Sequence, residues 1–467
     1  MQGRLAMAIS DALAGPRLAG PVPPDKPVSL LQFLREGPDN IIGIIPRAAY
    51  EQPVWETSFG TQRAFFINDP AGVKQVMLDN VANYPKAPEE IYILGAAFGE
   101  GLLTSDGEKW RSHRRIMAPS FDFRSIVSYA PAMTGAAEEF AAKWDALAPG
   151  TPLDIGKEMS ALTLQIISRT MFSTDASGLN DLVGETLERG MAEMNFGLLD
   201  AVPVLGPWRV RRRVAKIQQI FGALDKAMLP LIQSRAARKT ESGTPDLLDR
   251  LIAARDSDTG GALSTQEVRD EAVIIYLAGH ETTAVAMTFV WYLLSQHPDA
   301  EAKLHAELDS VLGGRAPAYD DLAKLPYTRM VIEEAMRLYP PAPGLSARVA
   351  QADDVVSGVR IPKGAPVLLS PWVLHRHRAL WDAPERFDPE RFSPERSAGR
   401  PRFAYMPFGA GPRICIGASL AMTEACLILA AIAQRYRLRL VPGQEIELRH
   451  RITLRPKTPI RMVVEKR

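Results

Sequence analysis

One cysteine in a glycine-flanked turn is the residue whose setting most plainly suggests chemistry. The segment Phe408-Gly409-Ala410-Gly411-Pro412-Arg413-Ile414-Cys415-Ile416-Gly417 leads into an apolar stretch, Gly417 to Tyr436, that reads as a helix. Glycines allow a tight turn, while free amides at a helix start and the neighbouring Arg413 favour negative charge, so Cys415 is expected to be a thiolate. Such a sulfur is a nucleophile or a ligand. Nucleophilic catalysis needs a positioned histidine and an oxyanion site, which the sequence does not clearly offer. A lone anionic sulfur facing an apolar cavity suits axial ligation of haem iron. The other cysteine, Cys426, lies among Ala425, Leu427 and Ile428 and reads as a buried structural thiol.

A second stretch, Gly279-His280-Glu281-Thr282-Thr283, interrupts an otherwise apolar run from Ser264 to Leu294. Ser264 and Glu267 have capping-box spacing, and about 30 residues of helix would run some 45 Å through a core. A carboxylate there costs several kcal/mol unless it is paired or used. The competing reading is a solvated kink with the threonines bonded to the preceding turn. Two further spacings can place partners on one helix face. These are Glu334-x-x-Arg337, ordinarily a surface pair, and Trp110-x-x-x-Arg114, which can offer an indole N–H and a guanidinium fork to a carboxylate.

Elements must hold these residues. Val54–Gly60 and Arg63–Asn68 read as strands around a Gly60-Thr61 turn, followed by helical spacing in 71–77, 110–117, 129–147, 160–172 and 214–232. After a helix at Tyr327–Tyr339 come a strand-like 365–373, a Pro-rich loop to Pro412, the helix after Gly417 and alternating strands. The expectation is a mainly α, α+β fold: an N-terminal arm at 1–24, then a single domain at 25–467 with a large helical part, a long central helix and a small β-rich region. The 467 residues are 46% hydrophobic with a net charge of +1, which marks a globular chain and gives no basic excess for nucleic acid. Two cysteines suit a cytoplasmic setting. Neither Leu5–Leu13, broken by Asp11, nor Ala425–Ala433 has the length of a transmembrane segment. The run Trp208-Arg209-Val210-Arg211-Arg212-Arg213, beside apolar Phe196 to Leu205, reads as a solvated helix start.

The cysteine segment, as Phe408-x-x-Gly411-x-Arg413-x-Cys415-x-Gly417, resembles the haem-ligand loop of the cytochrome P-450 family. Ala278-Gly279-His280-Glu281-Thr282-Thr283 is similar to that family's oxygen-activating turn, Glu334-x-x-Arg337 to its ion pair, Pro389-Glu390-Arg391-Phe392 to the partner loop, and Trp110-x-x-x-Arg114 to its haem-propionate clamp. The resemblance implies haem b with Cys415 as the axial thiolate. Phe408, Gly409, Arg413 and Gly417 then surround the sulfur, and Trp110, Arg114 and Arg348 meet the propionates. It implies a buried triad of Glu334, Arg337 and Arg391 that holds the Pro-rich loop in register. Ala278 leaves room for a flat cofactor and oxygen, Thr282 hydrogen-bonds that oxygen, and Glu281 relays protons from solvent. His280 faces away from the iron, at the helix surface or one layer back, and His375 and His377 are structural.

The function implied is a haem-thiolate monooxygenase that inserts one atom of O2 into a hydrophobic small molecule by hydroxylation or O-dealkylation. Ala278, Gly344, Leu345 and Ile452 would line the pocket, with fatty acyl, terpenoid and alkyl-aromatic substrates all open and Arg63 a candidate for a substrate carboxylate. Only about 50 residues follow Gly417, too few for a flavin or iron–sulfur domain, so a separate ferredoxin or flavoprotein donor is expected. The rivals are a peroxide-driven hydroxylase of the same fold and a haem-thiolate ligand sensor.

Overall fold

The computed structural model describes residues 18–467 apart from 30–31, 33–35, 38–39, 60–61, 174–181, 183, 187–188, 191–192, 194–204, 238–244 and 451. The strands, in chain order, are β1 Val54–Phe59, β2 Gln62–Ile67, β3 Pro152–Asp154, β4 Arg348–Val349, β5 Asp354–Val356, β6 Val359–Ile361, β7 Pro366–Leu369, β8 Tyr436–Leu440, β9 Leu448–His450, β10 Leu454–Pro456 and β11 Arg461–Lys466. The longer helices are α1 Pro88–Phe98, α2 Gly107–Met117, α3 Phe123–Trp144, α4 Ile155–Phe172, α5 Leu205–Ala237, α6 Leu247–Ala253, α7 Thr265–Gln296, α8 Pro298–Leu312, α9 Pro326–Leu338 and α10 Ala418–Ala433. The molecule is mainly helical with small sheets.

β1 and β2 form the expected antiparallel pair, Val54 opposite Ile67, while the Gly60-Thr61 turn lies outside the described residues. β2 is interior to the sheet β1-β2-β7-β4, parallel to β7, and its Ala64–Ile67 run is buried on both faces as an inner strand requires. The strand expected over 365–373 ends at Leu369, because Pro371 opens a short helical turn, Pro371–Leu374, capped by Ser370. The helix expected over 71–77 is present as a short α-helix, Pro70–Lys74, that widens into a π-turn, Gln75–Asp79, in which Asn80 N donates to Gln75 O. α3 starts before the expected Tyr129, at Phe123, with Asp122 accepting from Ser125 N as its cap. α5 starts before Val214, so 208–213 lies within it with Trp208 exposed; its apolar flank at 196–204 lies outside the described residues.

α7 crosses the middle of the core. The Ser264–Glu267 capping box forms, and the helix continues unbroken for 32 residues, about 48 Å at 1.5 Å per residue. It packs on α4, α5, α9, α10 and β8. Among the described residues it is the helix long and apolar enough to cross a membrane, and it is buried inside the fold. Its N-terminal half fastens α2. His113 Nδ1 meets Glu271 Oε1 at 2.6 Å and Nε2 meets Glu267 Oε1 at 3.3 Å, while Glu271 accepts from Leu102 N. Of the expected arm, residues 1–17 lie outside the described part. Ala19 is tied down: its N donates to Tyr292 Oη and its O accepts from Tyr339 Oη.

Candidate active site

The cysteine loop is shaped by backbone that only glycine tolerates. Gly409 and Gly411 have φ of 77° and 66°, and a Cβ on Gly411 would overlap the Met77 carbonyl. One 3-10 turn, Gly411–Arg413, then brings Cys415 N to donate to Phe408 O at 2.9 Å, and Gly417 N–H donates to the sulfur at the start of α10. Burial pushes the Cys415 thiol up, and Gly417 N–H and the Arg114 charge oppose this without overcoming it. Of the two groups expected to favour a thiolate, the Gly417 N–H at the helix start does lie on the sulfur, whereas Arg413 is turned away from it. Arg413 turns to Asp106 and to Ser105 O at 3.2 Å, over the Trp110 ring.

Arg114 Nη1 donates to Ile414 O at 2.9 Å, so α2 grips the loop beside the sulfur. Arg348 is 4% exposed, yet its Nε and Nη1 have no protein partner. Lys86, which the sequence reading passed over, pairs its backbone with Arg348 and donates Nζ to Leu103 O; burial, then Arg413 and Arg348, pull it down to about 7. Two carboxylates stand nearby. Asp106 is held by Arg413, and Glu90 accepts from Ser346 Oγ at 2.6 Å and Ala347 N at 2.9 Å. An unpartnered buried guanidinium in this company is a place for an anion from outside the chain. The carboxylates of a haem fit it.

In the middle of α7, Ala278 is exposed and Gly279 and Thr282 are partly exposed, although the helix is buried on either side. The packing around the helix is open at this one place. Thr282 Oγ1 donates to Ala278 O at 2.8 Å and Thr283 Oγ1 to Gly279 O at 3.1 Å, without a kink. His280 is not at the helix surface. It is buried against α4 with Nε2 3.2 Å from Ser160 Oγ, and burial pulls it down to about 4. Glu281 is buried and faces the β9–β10 hairpin: it accepts from Thr453 Oγ1 and from Arg455 Nε at 2.9 Å, with Arg455 Nη2 at 2.6 Å. Its route to solvent thus passes through an ion pair that spacing could not reveal, since Arg455 lies far along the chain.

On α9, Arg337 Nε and Nη2 donate to Glu334 at 2.6 and 2.8 Å, both residues 0% exposed, and Arg391 Nε lies 3.4 Å from the same carboxylate. Arg337 also donates to His375 O, Pro384 O and Arg386 O, and Glu334 accepts from Asp388 N. His375 Nε2 accepts from Met406 N and His377 Nδ1 from Ala379 N. Gly344 and Leu345 are half-buried and Ile452 is exposed at the tip of the β9–β10 hairpin. Arg63 does not reach a cavity: it forms an exposed pair with Glu56 on the neighbouring strand.

A family model described as Cytochrome P450 matches residues 21–464. The chain is 40% identical over 377 residues to cyclooctatin synthase of Streptomyces melanosporofaciens, covering 79% of each. It is 37% identical to cyclooctat-9-en-7-ol 5-monooxygenase of the same organism, covering 83% of each, and 32% identical to pentalenene oxygenase of Streptomyces avermitilis, covering 74% of this chain and 76% of that one. Among solved structures, the haem domain of cytochrome P450DA superposes with a TM-score of 0.83 at 27% identity, covering 97% of this chain and 98% of that one.

Proposed function

The chain belongs to the cytochrome P450 family and is a haem monooxygenase, and we propose that it oxidises terpenoids. Members of the family bind haem iron through an axial cysteine thiolate and use O2, an organic substrate and redox partners. We assign Cys415 as that ligand, framed by Phe408, Gly409 and Gly417, with Trp110, Arg114, Arg348 and Arg413 at the propionates and Ala278 clearing the opposite side. The observation that carries this placement is the buried Arg348 guanidinium with two unpartnered nitrogens. The substrate class is supported by relatives named for cyclooctat-9-en-7-ol and pentalenene, and by the apolar or small character of Ala278, Gly344, Leu345 and Ile452. Electrons come in this reading from a ferredoxin or flavoprotein, in the cytoplasm, where Cys415 and Cys426 stay reduced.

The bound haem supplies activation of O2, one atom of which enters the substrate while the other leaves as water. The residues of the chain manage space and protons. Cys415 would hold the haem iron through its sulfur, toward which the Gly417 N–H is directed. Thr282 Oγ1, which rests on Ala278 O, turns to hold a proton at the oxygen-facing side of α7. Glu281 resupplies that proton, and it does so by leaving Arg455 and Thr453. The triad of Glu334, Arg337 and Arg391 fixes the loop carrying the ligand and takes no part in proton movement.

The test is turnover of purified holoenzyme with reduced nicotinamide and a ferredoxin pair against a panel of sesquiterpenes, diterpenes and fatty acids. Hydroxylated terpenoids are expected. Oxidation of fatty acids alone would overturn the substrate class, and faster turnover with peroxide than with electron carriers would favour a peroxide-driven enzyme.

A further inference from the structure

The opening turns of α5 carry a concentration of charge that the oxygen chemistry does not use. From Leu205 to Leu224 the basic residues are Arg209, Arg211, Arg212, Arg213 and Lys216, and no aspartate or glutamate is among them, in a chain whose net charge is only +1. Like charges three and four apart repel along a helix, as Arg209 does with Arg212 and Arg213, so the cluster does not support the element that carries it. Lys216 is answered by Glu193, and Arg209 and Arg213 have contacts of their own. Arg211 and Arg212 are exposed, and among the described residues neither meets a carboxylate.

Beside this charge stands an indole. Trp208 is 57% exposed, and the Arg212 guanidinium lies 5.6 Å above its ring. Helical periodicity puts Arg211 on the same side of α5 as Gln218, and the exposed Ala215 between them completes a face without acids. Gln218 is also on the lip of an open trough of about 540 Å³ between α5 and α1. Ile91, Tyr92 and Val214 give the trough an apolar side, Tyr92 being 52% exposed, while Gln218 and the Lys109–Glu100 pair are polar. Exposed arginines and an indole next to an apolar opening make a surface suited to lipid headgroups: guanidinium groups bond phosphate, and amphipathic rings settle at the boundary between headgroups and chains. Nucleic acid is the weaker fit, because the charge is confined to 209–216 and a phosphate backbone has no use for an apolar trough.

We infer that this face of α5 docks on an anionic lipid bilayer, with Trp208 at headgroup level and Arg211 and Arg212 on lipid phosphates. The contact is peripheral: the helix lies on the surface rather than through it. The trough then opens beside the bilayer, where apolar compounds collect. The inference goes beyond the terpenoid reading and does not depend on it, because lipid phosphate is recognised whatever the enzyme oxidises.

The experiment sediments purified holoenzyme with vesicles of phosphatidylcholine alone and of phosphatidylcholine mixed with phosphatidylglycerol. The parent should partition to the mixed vesicles about tenfold or more strongly than to the neutral ones, and the preference should fade as salt is raised. Arg211→Glu combined with Arg212→Glu should abolish that preference. Trp208→Ala should weaken binding several-fold and remove part of the tryptophan quenching that brominated lipid causes. These side chains are exposed, so the melting temperature and the reduced carbon monoxide spectrum should match the parent in every variant. Arg360→Glu combined with Lys363→Glu, the same charge change on β6 and the exposed turn after it, should leave binding intact. Equal partition of the parent to both vesicles, none to either, or an equal effect of the two double variants would overturn the inference. So would capture by a duplex oligonucleotide with no binding to vesicles, which would give the patch to nucleic acid.

Discussion

Cys415 and Thr282 are each assigned one job, and each job has its own readout. Changing Cys415 to histidine should abolish the long-wavelength band of the reduced carbon monoxide complex, while Cys426→Ser, deep in α10, should leave it intact. Thr282→Ala deletes the hydroxyl that rests on Ala278 O. Product formed per reduced nicotinamide should fall several-fold with hydrogen peroxide rising in step, and substrate affinity should change little; an unchanged ratio would count against the assignment. Glu281 needs a control, because Glu281→Gln removes both an ionisable group and the partner of Arg455. Arg455→Met breaks the pair and keeps the carboxylate, so slow turnover in Glu281→Gln alone would point to the proton. The legibility of these residues was uneven for a physical reason. Cys415 announces itself because its glycines, its arginine and its helix are contiguous in sequence. The partner of Glu281 is remote in sequence, and the need of Arg348 for an anion is visible only when burial shows that nothing in the chain supplies one.

Between elements, the strongest joint is the one α9 makes with the Pro-rich loop. Arg337 serves Glu334 and three carbonyls with no exposure to water, so removing it leaves a buried carboxylate and several acceptors unsatisfied. Glu334→Ala or Arg337→Ala should lose about 3–5 kcal/mol of stability and yield little haem-loaded protein. A variant that melts like the parent would demote the triad. The clasp between α2 and α7 depends on pH. Burial alone would lower His113, but Glu271 and Glu267 outweigh it and hold the imidazole above its ordinary value near 6.5. Its contribution is complete below that value and fades as pH rises through the folded-state one, so the melting gap between the parent and His113→Asn should narrow from pH 6 to pH 9. Helix α7 was legible end to end because a capping box and apolar residues are local signals. The π-turn at Gln75–Asp79 and the early end of β7 were less so, the first set by the chain packed against it and the second by Pro371.

Across the whole molecule, Lys86, Arg348 and Arg413 gather around two carboxylates, Glu90 and Asp106, neither of which bonds Arg348. Removing haem should therefore lower the melting temperature through loss of a bound partner. Arg348→Met should narrow that difference from both sides: the apoprotein gains by shedding an unpartnered buried charge, and the holoprotein loses a charged hydrogen bond. Transfer of haem to apomyoglobin should quicken by about tenfold, and an unchanged rate would place the propionates elsewhere. The close fit of Gly411 on the Met77 carbonyl carries one more consequence, in the order of synthesis. The π-turn leaves the ribosome early and waits, at about 5–20 residues per second, through the making of nearly three-quarters of the chain before the loop that must seat on it emerges. Cofactor capture is then an event of the finished polypeptide, and a supply of haem matched to the end of translation, rather than to its start, should govern how much active enzyme a cell accumulates.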